Sequence, residues 1–463
     1  MADIGRKTDT WGSRFGFIMA AVGSSVGLGN FWRFPFTAGE NGGAAFIFIY
    51  LLCVVLFGLP VLMAEYGMGR KSGMSAIEGV QSLARAESKS LNWGALGWIG
   101  SLAAFFILTF YMVISAWVIA FIPQALNGTF SGFVEEAARL TADAQALDPN
   151  APEITPGTVS GANFEQTIGN RGLIGTFLFL FILANVLILS QGVKGGIERA
   201  ASILMPMFFV LLIGIVGFAL TIGDGARAAQ FLLTPDFSKV TFDTVLSAVG
   251  QAFFSIGVGS CLMITYGAYL SRDTDIPKAS AIVAGADTMV AMIAGFAIFP
   301  IVFAFGADPA GGPGLFFVSL PIAFGQMPFG DIIAPAFFLL ALFAALTSSI
   351  SLMEVGVSWL EERQGVNRWG AALGVGFVLF MIGMGYVYSD DFIDFADNVT
   401  GKIMLPLGGL LVCVFSGWVI SRQMLTTEFG EGAVMNAWRF ATRWIAPPAL
   451  TIILVFGVYD WLI

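Results

Sequence analysis

Three glycines within seven residues, Gly23, Gly27 and Gly29, surround Ser24, Ser25 and Asn30 in the middle of an apolar stretch. Each glycine weakens a helix by about 1 kcal/mol relative to alanine. A helix that unwinds there frees backbone N–H and C=O groups that hydrocarbon cannot satisfy. Freed carbonyls suit a small cation, and the N-terminus of a half-helix suits an anionic group such as a carboxylate. The same small residues also serve close helix packing. A second interruption, Phe-Ser-Ile-Gly-Val-Gly-Ser at 254–260, repeats the composition. Asp287 stands in the otherwise apolar run 281–305. An ionised carboxylate there is costly unless a cation accompanies it; a protonated, hydrogen-bonded acid is the alternative.

The elements that must position these groups are membrane helices. The 463-residue chain is 57 % hydrophobic and only 11 % charged, and its mean hydropathy is +0.83. A soluble domain carries about 25 % charged residues. Runs long enough to cross a bilayer core of ~30 Å divide the chain into eleven segments: 12–38, 43–69, 92–124, 167–189, 196–222, 242–270, 277–306, 332–360, 368–387, 396–421 and 434–461. With the N-terminus inside, Arg33, Arg139, Arg171, Arg227, Lys239 and Lys402 lie outside. The other sixteen of the 22 Lys and Arg lie in the cytoplasm, as the positive-inside rule asks. The odd count puts the C-terminus outside, and no cleavable signal peptide is expected. Acids gather on the outer side, in the polar 125–166 loop and at Asp390, Asp391, Asp394 and Asp397, either to concentrate cations or simply as a solvated face. Cys53, Cys261 and Cys413 all fall in apolar segments and read as core-filling residues. Histidine is absent, which excludes a histidine proton relay or zinc centre but not a carboxylate relay. The two interrupted segments lie five helices apart, so the halves of the chain would be inverted repeats, and paired broken helices point to a transporter binding site.

The run Gly-Ser-Ser-Val-Gly-Leu-Gly-Asn-Phe-Trp-Arg-Phe-Pro (23–35), followed by Glu40-Asn41-Gly42-Gly43, closely resembles the first-helix signature of the neurotransmitter:sodium symporter family. The likeness continues through Glu65-Tyr66-Gly67-Met68-Gly69-Arg70, Phe110-Tyr111 with Trp117, Gly250-Gln251-Ala252-Phe253-Phe254-Ser255 with Thr265-Tyr266, and Ala344-Ala345-Leu346-Thr347-Ser348-Ser349. It covers nearly the whole chain in order. The resemblance implies an all-α membrane protein of eleven helices: a 5+5 leucine-transporter-like inverted repeat with helices 1 and 6 broken. The single domain 1–463 would hold a first repeat at about 12–222, a second at about 242–421 and an extra helix at 434–461.

By resemblance, one sodium site maps to Gly23, Val26, Ala344, Thr347 and Ser348. Thr347 and Ser348 are adjacent hard oxygen donors apt for sodium, although such hydroxyls also bond back to the preceding turn. The other sodium site maps to Ser25, Asn30, Ser255 and Asp287. Where Asp287 stands, family members often have Asn. One turn on, where Ala291 stands, chloride-dependent members have Ser; a fixed carboxylate beside sodium would replace the chloride. Substrate contacts map to Ser24, Ser25, Gly27, Leu28, Gly29, Ile107, Tyr111, Phe254, Ser255, Gly257, Val258, Ser260, Ser348 and Leu352. Tyr111 would hydrogen-bond the substrate carboxylate. Gly27 lacks the aspartate that aminergic members carry, which favours a substrate with its own carboxylate. The outer gate maps to Arg33 and Asp397, with Tyr111 and Phe254 as lid; Arg33 snorkelling to headgroups is the alternative. The cytoplasmic latch maps to Trp11, Tyr269 and Glu362, with Arg6 or Lys7 as the basic partner because Thr8 occupies the expected arginine position. Glu65 would brace helix 6. Gly196 and Pro206 flank nine residues, which resembles a family motif that lets the cytoplasmic end of helix 5 unwind; the alternative is a packing kink.

The reading is therefore a sodium-coupled symporter of a small, hydrophobic or aromatic amino acid, using two Na+ and no chloride. It would work in the inner (plasma) membrane as a monomer or weak oligomer, without nucleic-acid partners. The alternatives are a β/γ-amino acid or taurine-like zwitterion as substrate, or a non-transporting amino acid sensor. A channel has less use for an occluding aromatic such as Phe254, and no nucleophile–base pair or metal cluster marks an enzyme.

Overall fold

The structure, a computed structural model, describes residues 9–306, 309, 314–389 and 391–462. Among them every regular element is helical. Chain order is α1 (Arg14–Ser25), α2 (Gly29–Glu40), α3 (Ala44–Ser72), α4 (Ala76–Ala86), α5 (Leu91–Leu126), α6 (Phe133–Leu147), α7 (Pro156–Gly169), α8 (Arg171–Leu189), α9 (Val193–Ile222), α10 (Gly225–Leu233), α11 (Phe242–Ile256), α12 (Leu262–Ala268), α13 (Ile276–Ala304), α14 (Leu315–Gln326), α15 (Gly330–Gln364), α16 (Arg368–Tyr388), α17 (Phe392–Val419), α18 (Arg422–Phe429) and α19 (Ala433–Tyr459).

Nine of these helices are long and apolar enough to cross a membrane, and α1 with α2 makes a tenth span bent by 48°. The sixth expected segment, 242–270, is α11 plus α12, too short to cross singly. The expected count of eleven is reached only if these two pieces form one broken span. Two further differences concern the 125–166 loop, which holds α6 and α7, and the fourth segment, which begins at Arg171 because 167–169 complete α7. Alanine-rich sequence with Glu135 and Glu136 in its first turn builds α6, as acids near a helix N-terminus favour.

Local chemistry fixes the ends. The Ser13 hydroxyl accepts from the Gly16 N–H at 2.9 Å to start α1. Asp275 accepts from the Lys278 N–H at 3.0 Å, with proline in the first turn of α13. Asn170 and Asn367 cap α8 and α16 in the same way. The centre of the bundle is α5 and α15, whose most apolar windows are 78 % and 72 % buried; α9 and α19, at 28 %, turn most of their surface outward. Close crossings rest on missing side chains. A Cβ at Gly408 of α17 would run into the Gly259 carbonyl, and one at Gly100 of α5 into Cys261. The cysteines are free and buried.

Candidate functional site

Both breaks fall at the middle of the bundle and face each other. Between α1 and α2 the chain leaves the helix at Val26, whose ψ is +100°. Between α11 and α12 it passes through Gly257 (φ +76°) and Gly259 (φ +86°), left-handed conformations natural to glycine. Glu65 of α3 holds the second break from behind, accepting from the N–H groups of Gly259 (2.7 Å) and Met263 (3.2 Å).

A cavity of about 470 Å³, including the open space at its mouth, lies between the breaks. Its walls are Ser24, Ser25, Gly27, Gly29, Ile107, Tyr111, Phe254, Ser255, Gly257, Ser260, Leu262, Ser348, Leu352 and Leu405. Two residues expected there, Leu28 and Val258, are buried elsewhere. Leu28 reaches the site only through its N–H, which donates to the Tyr111 hydroxyl at 3.2 Å; Val258 sits in the turn with its side chain packed in the core. Leu262 and Leu405 are lining residues that the sequence did not distinguish. Gly27 is a spatial necessity: a Cβ there would lie 2.6 Å from Ser348 Oγ and 2.9 Å from the Tyr111 hydroxyl.

Two clusters of oxygen flank the cavity. In the first, the Ser348 hydroxyl lies 3.2 Å from the Gly23 carbonyl and 3.3 Å from that of Val26. The Thr347 hydroxyl beside it lies 3.1 Å from both the Phe343 and Ala344 carbonyls. One proton per hydroxyl leaves lone pairs over, so the set is rich in hard, uncharged oxygens.

In the second cluster Asp287 is fully buried. The Asn30 amide donates to Asp287 Oδ1 at 2.8 Å and to the Asp287 carbonyl at 3.1 Å. Ser255 donates to Asp287 Oδ2 at 2.7 Å. The Tyr50 hydroxyl also faces this carboxylate. Asn30 Oδ1 accepts from the Gly27 N–H at 2.9 Å, and the Ser25 hydroxyl donates to the Ile256 carbonyl at 3.2 Å. Every one of these partners is neutral, and neutral donors alone are a poor exchange for the hydration of a buried carboxylate. A cation beside the carboxylate would offset that cost, as would a proton on it.

Toward one end of the cavity Arg33 lies 3.6 Å from Asp397, and its guanidinium covers the Phe254 ring at 4.3 Å. Toward the other end Trp11 meets Tyr266 and Tyr269 edge-on, with centroids 5.1 and 6.2 Å apart, and donates from Nε1 to the Tyr266 carbonyl at 3.3 Å. Tyr269 donates from its hydroxyl to Glu354 at 2.5 Å. Glu362, expected as the acid of the latch, accepts from the Ser75 N–H at 2.6 Å. Arg368 completes the Glu354 cluster at 2.6 Å and also binds Glu361 at 2.8 Å. Glu354 was legible in principle as an acid within the apolar stretch 350–359, the same signal that marked Asp287. Arg6, Lys7 and Thr8 lie outside the described residues.

At α9 the helix is continuous past Gly196 and Pro206, with a widened first turn. A Cβ on Gly196 would collide with the Ile188 carbonyl. Glu198, in the same turn, accepts from the Gly12 N–H at 2.5 Å and the Ser13 hydroxyl at 2.8 Å, tying α9 to the start of α1.

Paired broken helices around a cavity with oxygen-rich flanks define a membrane carrier of the leucine-transporter type, and the comparisons name its family. The model of the sodium:neurotransmitter symporter family matches residues 8–142 and 151–461. The chain is 34 % identical over 467 residues to the uncharacterized sodium-dependent transporter YhdH of Bacillus subtilis (strain 168), covering 97 % of each chain. It is 31 % identical to an uncharacterized sodium-dependent transporter of Haemophilus influenzae, covering 98 % of this chain and 99 % of that one. The crystal structure of MhsT in complex with L-phenylalanine superposes with a TM-score of 0.85 at 36 % identity, covering 97 % of this chain and all of that one. The chain belongs to the sodium:neurotransmitter symporter family. It is a multi-pass, sodium-dependent membrane transporter and not an enzyme.

Proposed function

We propose that the chain couples entry of sodium to uptake of a hydrophobic or aromatic α-amino acid, without chloride. The observation that carries this reading is the juxtaposition of the cavity with buried Asp287, whose described partners are all neutral. One sodium binds among the oxygens of Gly23, Val26, Ala344, Thr347 and Ser348. The other binds at Ser25, Asn30, Ser255 and Asp287, where the carboxylate supplies the negative charge that chloride provides in other members. The substrate carboxylate meets the freed N–H groups of the first break and the Tyr111 hydroxyl. Gly27 leaves no acidic side chain to seat an amine without a carboxylate. The substrate side chain lies among Ile107, Leu262, Leu352 and Leu405, where apolar area removed from water contributes about 25 cal/mol per Å². The phenylalanine bound to MhsT supports this substrate class.

Sodium favours the outward-facing form because it binds that form more tightly, and a ligand shifts such an equilibrium only by its differential affinity. Closure of the Arg33–Asp397 pair over Phe254 then shuts the outer path. Opening at Trp11 and Tyr269 releases both cargoes to the cytoplasm, with the N-terminus inside and the C-terminus outside.

Purified chain in liposomes, offered labelled amino acids in sodium or in potassium, tests the reading. Uphill uptake of an apolar α-amino acid is expected in sodium only, unchanged when gluconate replaces chloride. Loss of uptake in gluconate would refute the chloride part. Uptake of a taurine-like solute alone would refute the substrate class.

A further inference from the structure

Three arginines converge where α17, α18 and α19 meet, at the end of the bundle that holds Trp11. That end is fixed by Arg70 of α3, which binds Glu428 of α18 at 2.7 Å and the Ser271 and Thr274 carbonyls just past α12. Arg443 donates from Nε to the Gly417 carbonyl at 2.5 Å, and its guanidinium lies 5.1 Å from the Trp418 ring centroid. Trp418 packs edge-on against Trp444 at 5.1 Å; the two are 49 % and 59 % exposed. Arg422 donates to Asn436 Oδ1 at 2.6 Å. Arg439 faces the charges of Arg443 and Arg422, and its Nη1 is buried with no acceptor.

Among the described residues no acid comes within 4.0 Å of any of the three guanidinium groups. Glu428 is held by Arg70 and Lys71, and Glu87 accepts from the Ser421 N–H and hydroxyl. The positive-inside rule asks only for cations on this side, not for like charges gathered around a buried guanidinium nitrogen. Leaving such a donor unmatched costs more than an ordinary hydrogen bond gains. An anion with several oxygens meets the need, since guanidinium groups bind phosphate through paired N–H bonds. Half-exposed tryptophans mark the headgroup level of a bilayer.

We infer that Arg422, Arg439 and Arg443, flanked by Trp418 and Trp444, bind the phosphate of one anionic phospholipid headgroup in the cytoplasmic leaflet. The lipid, and not free phosphate, is the ligand because the exposed indoles offer its glycerol and upper acyl chain an apolar seat beside the charges. Bound there, the lipid bridges the ends of α17 and α19 and neutralises the cluster. The site is separate from the transport cavity and does not depend on the substrate reading.

Native mass spectrometry of the full chain, titrated with phosphatidylglycerol or phosphatidylethanolamine, tests the site. The Arg422→Gln/Arg439→Gln variant leaves the Arg443–Gly417 bond in place. It should bind its tightest phosphatidylglycerol about thirtyfold more weakly, at roughly fivefold per arginine, with phosphatidylethanolamine unaffected. The Arg422→Lys/Arg439→Lys variant should keep most of the affinity. Equal phosphatidylglycerol binding by wild type and the glutamine variant would overturn the proposal. So would equal losses in both variants accompanied by a lowered melting temperature, which would trace the effect to folding. Complete displacement of the lipid by millimolar inorganic phosphate would overturn it in favour of a free-anion site.

Discussion

Gly27 and Asp287 show how much a single position decides. At Gly27 even a methyl group would press on Ser348 Oγ and the Tyr111 hydroxyl. Gly27→Ala should weaken amino acid binding by about ten- to a hundredfold, the equivalent of ~1–3 kcal/mol of overpacking, as measured by scintillation proximity in sodium. Unchanged binding would mean the substrate lies elsewhere. Asp287→Asn keeps an oxygen but removes the charge. It should raise the sodium concentration for half-maximal binding by about thirtyfold, or ~2 kcal/mol, in a sodium titration of substrate binding. Asp287 stood out in the sequence because an acid in an apolar run is costly unless a cation or a proton accompanies it. Glu354 carried the same signal and was not singled out. Leu262 and Leu405 carried no signal at all: a leucine lining a cavity and a leucine facing lipid look alike in a membrane helix.

For the elements, the breaks were legible and the short helices were not. Glycine and serine in mid-span announce lost helical hydrogen bonds, and the structure breaks the chain at both expected places. Residues 133–166 were read as loop because hydropathy sees only membrane spans, although acids in the first turn of α6 and its repeated alanine spell a surface helix. In α9, Pro206 removes one backbone hydrogen bond from a helix anchored through Glu198 to the start of α1. If the first turns of α9 unwind to let water reach Thr347 and Ser348, Pro206→Ala should slow turnover several-fold while equilibrium sodium binding stays nearly the same. Parallel measurement of uptake rate and sodium affinity separates the two, and an unchanged rate would reduce the proline to a packing kink.

Across the whole molecule, composition alone established a membrane bundle, since 11 % charged residues leave too few for a soluble surface of this size. The resemblance paired Trp11 with Tyr269, whereas the Tyr269–Glu354–Arg368 cluster required coordinates. The break between α11 and α12 also equips the chain with a chemical reporter. Of three buried thiols, Cys261 alone sits at a break, its Sγ donating to the Leu96 carbonyl near the start of α5 at 3.7 Å, behind Gly100. With Cys53 and Cys413 replaced by serine, a membrane-impermeant maleimide supplied from the cytoplasmic side should modify Cys261 only while that half of the molecule is open. Sodium should slow the modification and potassium should not, so that a native thiol, with no cysteine introduced, keeps time for the alternation of the two faces.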